Sequence, residues 1–231
     1  FGIGADGLIF IEPSGAADFR WRFFNADGSE AEMCGNGGRC AARFAYLNQI
    51  APAAMVFETQ AGVIRAEVNG RRVKLGLSQP RFLKLDLTIS LPDGELQGHF
   101  INTGVPHVVL LTDDLDQAPV VELGRAIRYH ELFQPAGTNV NFVRISGPQT
   151  LQIRTYERGV EAETLACGTG SVAAAIIAAR QFGMPSPVMV HPRSGEILTV
   201  YFTPQGDDFA EVFLEGEALI VFQGEIWLDE L

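Results

Sequence analysis

Alternation of apolar and polar residues predicts strands over most of this chain, and the same pattern occurs twice. Asp18-Phe19-Arg20-Trp21-Arg22-Phe23-Phe24-Asn25 alternates with the period of two expected of a half-buried strand, then enters the turn Ala26-Asp27-Gly28-Ser29. Leu151-Gln152-Ile153-Arg154-Thr155-Tyr156-Glu157 does the same and ends at Arg158-Gly159. Acidic residues follow both turns, Glu30 and Glu32 in one, Glu161 and Glu163 in the other. Each half then opens a small-residue helix through a glycine-punctuated turn. The first reads Cys34-Gly35-Asn36-Gly37-Gly38-Arg39-Cys40-Ala41-Ala42; the second, 133 residues later, reads Cys167-Gly168-Thr169-Gly170-Ser171-Val172-Ala173-Ala174-Ala175. Upstream, the run from Gly4 to Ile11 precedes Cys34 by 30 residues, and the run from Gly137 to Val143 precedes Cys167 by the same interval. A spacing held across several elements marks an internal duplication.

After each helix the strand pattern returns. The first half gives Met55–Thr59, Val63–Val68 and Arg72–Leu77, with turns at Ala61-Gly62 and Asn69-Gly70. The second gives Val188–His191, Ile197–Phe202 and Glu211–Leu214. Asn-Gly between alternating runs signals a hairpin, and Gly183 with Pro185 stops the second helix. Each half therefore reads as a mostly antiparallel sheet around one principal helix, an α+β lobe, with the active site expected in the cleft between two pseudo-symmetric lobes. The boundary is expected in a loop-rich stretch between Pro80 and Gly98, giving lobes 1–95 and 96–217. Residues 218–231 are expected to return to the first lobe through a strand over Ala218–Phe222. The segment Asn102–His107, followed by Val108–Leu111, has no counterpart ahead of Cys34. By the repeat logic, a strand-turn piece of at least roughly 30 residues is expected to precede Phe1.

Composition narrows the function. At 231 residues, 47% hydrophobic and 19% charged, the chain has a globular balance with room for a sizeable core. Its net charge is −11, and Lys74 and Lys84 are its only lysines. Without a basic stripe, neither nucleic acid nor an anionic membrane is an expected partner. No apolar stretch approaches the roughly 18 residues of a membrane span, and the start Phe1-Gly2-Ile3-Gly4 does not resemble a signal peptide. Three cysteines make no disulfide scaffold, which points to the reducing cytoplasm. A homodimer remains open.

The two cysteines carry the chemistry. A thiol at a helix N-terminus lies beside unsatisfied N–H groups and the positive end of the dipole, which favour thiolate. Inverting a carbon centre by proton exchange needs a base on one face and an acid on the other. Two thiols with values lowered from about 8.5 toward 7 would serve as that pair. Buried structural cysteines would need no such glycine turns. Cys40, beside Ala41, Ala42 and Phe44, reads as a buried helix cysteine. Arg39 and Arg43 read as solvated or ion-paired. Asn25 and Asn139 also fit turn residues, and His107 also fits a strand cap.

Cofactor chemistry finds little support. Neither lysine is placed as a Schiff-base residue. Gly2-Ile3-Gly4-Ala5-Asp6-Gly7 matches G-x-G-x-x-G, but no strand precedes it. Cys34 with Cys40 lacks zinc-ligand spacing. The expectation is a small-molecule enzyme with no cofactor and no metal.

The run Phe24-Asn25-Ala26-Asp27-Gly28-Ser29-Glu30 leading to Cys34-Gly35-Asn36-Gly37-Gly38-Arg39-Cys40 resembles diaminopimelate epimerase. So does Tyr156-Glu157-Arg158-Gly159 leading to Thr164-Leu165-Ala166-Cys167-Gly168-Thr169-Gly170, and the likeness extends from Gly2 to Ile226. The resemblance implies cofactor-free conversion of LL-diaminopimelate to the meso form, on the route to lysine and peptidoglycan. It implies that Cys34 and Cys167 are the acid/base thiols and that Gly35, Asn36, Gly168 and Thr169 donate backbone N–H groups to the reacting carboxylate. Asn25, Asn139, Glu157 and Arg158 would hold the distal end, and His107 and Glu157 would tune the thiols. The chain departs from the family pattern at Val105, where many members carry Asn, and at Gly7, where some carry Gln. Two other readings stand beside this one: a proline racemase-like member of the superfamily, and a catalytically silent amino-acid-binding protein.

Overall fold

The duplicated pattern folds into one continuous sheet. In this computed structural model, residues 4–225 are described. Residues 1–3, with the start of the G-x-G-x-x-G match, and residues 226–231 of the expected returning segment lie outside them. The first half supplies β1 (Gly7–Glu12), β2 (Phe19–Asn25), β3 (Glu30–Ala31), α1 (Gly35–Leu47), β4 (Ala54–Thr59), β5 (Gly62–Asn69) and β6 (Arg72–Gly76). Then come β7 (Arg81–Leu91), β8 (Gly94–Asn102), β9 (Pro106–Leu111) and α2 (Val120–Arg128). The second half repeats the first as β10 (Asn139–Gly147), β11 (Thr150–Glu157), β12 (Ala162–Thr164), α3 (Gly168–Phe182), β13 (Val188–His191), β14 (Leu198–Gln205) and β15 (Asp208–Glu217).

The sheet order is β1-β2-β4-β5-β6-β15-β14-β13-β11-β10-β9-β8-β7, with β3 beside β2 and β12 beside β11. Around the β6–β15 junction the order is palindromic from β1 to β10, with β1, β2, β4, β5 and β6 answered by β10, β11, β13, β14 and β15, while β9, β8 and β7 extend the second side alone. β2 and β4 run parallel with α1 as their crossover, and β11 and β13 run parallel with α3 as theirs. Pairing is otherwise antiparallel, except between β9 and β10. The lobes meet through β6 and β15, with Leu75 opposite Leu214 and Val73 opposite Gly216. This is the two-lobed α+β architecture expected from the repeat.

Each principal helix is placed by its apolar face. Gly37, Gly38, Ala41, Ala42 and Ala45 recur at helical spacing in α1 and are buried near Phe19, Trp21, Phe57 and Leu75. α3 is apolar nearly all round, and Val172 through Ala178 are all buried. It ends at Gly183 in the left-handed conformation, φ 67°. A third apolar cluster joins Ile89, Val108, Val140, Phe142 and Tyr156 to α2.

Three local expectations are corrected. The stretch between Pro80 and Gly98 is not a loop but most of the β7–β8 hairpin, closed at Leu91 opposite Gly94. β8 in turn pairs with β9 on the second-half side, because Ile89 and Ile101 carry apolar side chains into its cores. Residues 218–225 form no strand; the strand that returns to the first lobe is β15 itself. The tail lies against α1 instead, where Arg43 donates to the Ala218 carbonyl. Cys40 is exposed, since its position falls outside the Gly37–Ala41–Ala45 face. Arg39, read as solvated or ion-paired, is ion-paired: it is 4% exposed and lies 3.6 Å from Glu196.

Candidate active site

Both cysteines sit at the same point of equivalent helices. Cys34 precedes α1 in extended backbone, φ −142° and ψ 120°, and its sulfur accepts the Gly37 N–H at 3.4 Å. Cys167 precedes α3 at φ −127° and ψ 110°, with its sulfur 3.6 Å from the Thr169 hydroxyl. The opening glycines let both helices come down onto the central strands. A Cβ on Gly38 would lie 2.9 Å from Leu75 Cδ1, and one on Gly168 would lie 2.9 Å from Leu214 Cδ2. Leu75 and Leu214 are direct cross-strand neighbours, so they share a face and their Cβ atoms stand about 5 Å apart. The first turns of α1 and α3 therefore stand side by side over the junction of the lobes.

The electrostatics differ from the expected lowering. Burial pushes the Cys167 thiol up to about 11, and the Glu157 carboxylate adds to the rise. The Thr169 hydroxyl and the N–H groups of Gly170 and Thr169 pull the other way without overcoming burial. Cys167 is thus a protonated thiol in this state. Cys34 is half-buried against the first-lobe core.

Beneath α3 lies a row of polar side chains on the sheet face that packs against it. His107, opposite Ile101 on β8, is fully buried. Asn139 and Asn141 on β10 stand in register with His107 and Val109, and Thr155 on β11 stands opposite Asn141. Asn141 Nδ2 donates to the Val108 carbonyl at 2.9 Å and lies 3.2 Å from His107 Nδ1, while its Oδ1 accepts from Thr155 Oγ1 at 2.9 Å. Burial, assisted by the charge of Arg158, holds the His107 ring down at about 3. Its Nε2 is buried with no hydrogen-bond partner among the described residues. Sequence reasoning missed Asn141, Thr155 and α2. The signal for Asn141 was there: a second Asn two positions after Asn139, on one face of an otherwise apolar strand.

The remaining candidates fall into two groups. Glu157 accepts from Thr164 Oγ1 at 2.9 Å, which ties it to β12. Asn139 accepts the Arg158 N–H at 2.9 Å and donates to the Pro106 carbonyl at 3.0 Å, so it organises the turn that presents Arg158. Asn36 Oδ1 accepts from Arg39 Nη2 at 2.9 Å beside Gly35 in the first turn of α1. Asn25 is exposed and caps its own turn, donating to Ser29 Oγ at 3.0 Å. By the repeat interval, Asn25 is the counterpart of Arg158. Among the described residues no three His, Cys, Asp or Glu side chains converge as a metal-ligating group, and no helix is long and apolar enough to cross a membrane.

The family model described as diaminopimelate epimerase matches residues 1–82 and 99–221. The chain belongs to the diaminopimelate epimerase family. It is similar to the diaminopimelate epimerase of Aquifex aeolicus, 52% identical over 97% of this chain and 81% of that one. The Chlorobaculum tepidum diaminopimelate epimerase is 46% identical, with 98% and 87% covered. Family membership makes the chain an isomerase. Among solved structures, a Bacillus anthracis phenazine biosynthesis protein of the PhzF family aligns with TM-score 0.73 at 18% identity, covering 98% of this chain and 86% of its own. A hydroxyproline epimerase from Agrobacterium vitis aligns with TM-score 0.68 at 20% identity, covering 91% and 72%. At such identities these two report the fold alone. A cavity of about 530 Å³, which neither Cys34 nor Cys167 lines, lies between Cys40, Arg43 and Phe44 of α1 and the Leu219–Gly224 tail.

Proposed function

We propose that this chain interconverts LL- and meso-2,6-diaminopimelate by removing a proton from one face of a carbon held between Cys34 and Cys167 and returning another to the opposite face. One sulfur, as thiolate, takes the α-proton, and the released electron pair moves into the carboxylate. The other sulfur, as thiol, delivers its proton to the opposite face. The two sulfurs exchange protonation states in each turnover, and the reverse reaction uses them in the opposite order. The observation that supports this reading best is the placement of two equivalent cysteine turns over one cross-strand leucine pair, in a member of this family.

The growing negative charge on the substrate carboxylate needs donors. The first N–H groups of a helix have no intrahelical partner, so Gly35 and Asn36 with Gly168 and Thr169 supply them at the positive ends of two dipoles. Arg158 and Glu157 offer opposite charges to the distal amino-acid end, with Asn139 bonded to the Arg158 N–H and Asn25 contributed by the first lobe. The buried protonated state of Cys167 makes it the proton donor of the resting site and leaves the base role to Cys34. The reaction belongs to the synthesis of lysine and peptidoglycan precursors in the cytoplasm.

Incubation with LL-diaminopimelate in deuterated water under reducing conditions tests the reading, with L-proline as the control substrate. Deuterium is expected at the inverted carbon of meso-diaminopimelate, with turnover falling by orders of magnitude in Cys34→Ser and Cys167→Ser, because a hydroxyl is far less acidic than a thiol. Exchange into proline alone, or full activity in either variant, overturns it.

A further inference from the structure

We propose that the second lobe carries a binding site for a small molecule bearing a phosphoryl group, on the face of the sheet opposite α3 and the cysteines. Leu151 and Ile153 of β11 join the core under α3, so the alternate residues Gln152 and Arg154 point to the other face. There Arg144 of β10 stands opposite Gln152, and His191 of β13 is in register with Gln152 on its other side. With Arg154, and Arg193 from the loop after β13, they line a pocket of about 440 Å³ whose only acid is the exposed Asp116.

The first lobe provides an internal comparison. Arg22 bonds Glu30 through Nε at 2.9 Å and Nη2 at 3.2 Å, and Arg154 bonds Glu163 through the same two nitrogens at 2.8 and 2.9 Å. That shared fork fixes the equivalence of β2 and β11. β1 then sets Glu12 opposite Arg20 where β10 sets Arg144 opposite Gln152. β4 sets Glu58 beside Arg20 where β13 sets His191 beside Gln152. Two carboxylates of the first lobe are thus exchanged for a guanidinium and an imidazole in the second. Cations gathered on one face of a sheet repel one another, and in a chain of net charge −11 solubility does not call for them.

The fold does not use up these donors. Arg154 is committed, with Nε and Nη2 to Glu163 and Nη1 to the carbonyls of Leu115 and Asp116. Arg144 pairs with no carboxylate among the described residues; its Nε, at 2.8 Å, and its Nη2 both donate to one neutral oxygen, Gln152 Oε1. Arg193 has a side chain 56% exposed and shares Glu163 with Arg154, at 2.8 Å through Nη1. Three guanidiniums therefore answer to two carboxylates, Glu163 and Asp116. A phosphoryl group suits donors that arrive from several directions, because its tetrahedral oxygens accept from separate guanidiniums, whereas a planar carboxylate is satisfied by one bidentate fork. Leu115 and Pro192 offer the rest of such a molecule an apolar wall. With the sheet and α3 between this pocket and the cysteines, its occupant does not compete with an amino-acid substrate, and the site stands apart from the epimerase reading.

Thermal melts with inorganic phosphate raised to about 50 mM, sodium chloride holding the ionic strength constant, read the site. The expected result is a saturable rise in melting temperature with a midpoint on the order of 1 mM. In the double variant Arg144→Gln, Arg193→Gln that midpoint is expected to move up at least about tenfold. No saturable rise in the wild-type protein overturns the proposal. So does a rise that persists undiminished in the double variant, since the anion would then sit elsewhere, as at the starts of α1 and α3. Where the double variant does not fold, Arg193→Gln alone decides: a weakened phosphate midpoint is expected, and an unchanged one overturns. Succinate under the same conditions is expected to bind more weakly than phosphate; arginine-dependent binding as tight as that of phosphate would overturn the phosphoryl assignment.

Discussion

A thiol at a helix start is pulled in two directions, and Cys167 shows which one prevails. The dipole and the N–H groups of Thr169 and Gly170 favour the thiolate, but near-complete burial costs more, and the group is held at about 11. The sign of the resulting pH dependence is fixed by linkage. In the unfolded chain the thiol titrates near 8.5, so between that value and about 11 the unfolded state has released a proton that the folded state keeps. Folding stability therefore falls as pH rises through this window, by roughly 3 kcal/mol for the whole interval. Melting temperatures measured from pH 8 to 10.5 are expected to drop several degrees further in the wild-type protein than in Cys167→Ala. Parallel curves would show that the thiol is not held protonated by the fold. The same competition explains why the sequence misleads at this residue: a cysteine before a glycine turn announces the dipole, but not the depth at which the lobes bury it.

At the scale of the element, the first turns of α1 and α3 look interchangeable in sequence but are not in packing. A side chain at Gly170 would strike Asn141 Oδ1, an atom held by Thr155, whereas one at its repeat counterpart Gly37 would lie 3.2 Å from Trp21 Cζ3 and one at Gly35 would meet nothing within 4 Å. Gly170→Ala is expected to cost about 1–3 kcal/mol, or several degrees in melting temperature for a chain of this size. Gly35→Ala is expected to melt like wild type; equal losses in the two variants would remove the close approach as the reason for the glycine. Repeat spacing made these helices legible, as it did β2, β11 and their parallel partners. α2 escaped because Gly124 interrupts its apolar spacing; that glycine lets the helix approach Tyr156, whose Cβ would stand 2.5 Å from a side chain there. The β7–β8 hairpin escaped for a related reason. Lys84, Asp86 and Thr88 give its outward face the polar look of a loop, and its packing comes from distant partners such as Val108 and Leu110.

At the scale of the whole molecule, the duplication foretold two lobes but not what joins them. The junction consists of β6 paired with β15, and of Arg39, which leaves α1 and crosses to the second lobe. Its guanidinium donates to Asn36 Oδ1 at 2.9 Å, faces Glu196 at 3.6 Å, and reaches the Glu217 carbonyl at 3.4 Å. No counterpart exists in α3, where the repeat places Val172, so the spacing argument that exposed the cysteines was silent about this residue. Burial lowers the Arg39 guanidinium from its ordinary value while Glu196 supports the charge. Removing one partner of such a pair is costly because the other is left uncompensated, though Glu196 keeps some contact with solvent. Arg39→Met is expected to lower stability by about 1–3 kcal/mol and to reduce turnover as well, since Asn36 loses the bond that holds it beside the first-turn N–H groups. Arg39→Lys is expected to restore little, because one ammonium cannot reproduce a fork that reaches three acceptors. Asp207→Asn, which breaks the exposed pair with Arg180, is expected to change stability by less than about 0.5 kcal/mol. Thermal melts with parallel activity assays check the series, and an Arg39→Met protein as stable and as active as Asp207→Asn would show that the lobes hold their relative position through the β6–β15 pairing alone.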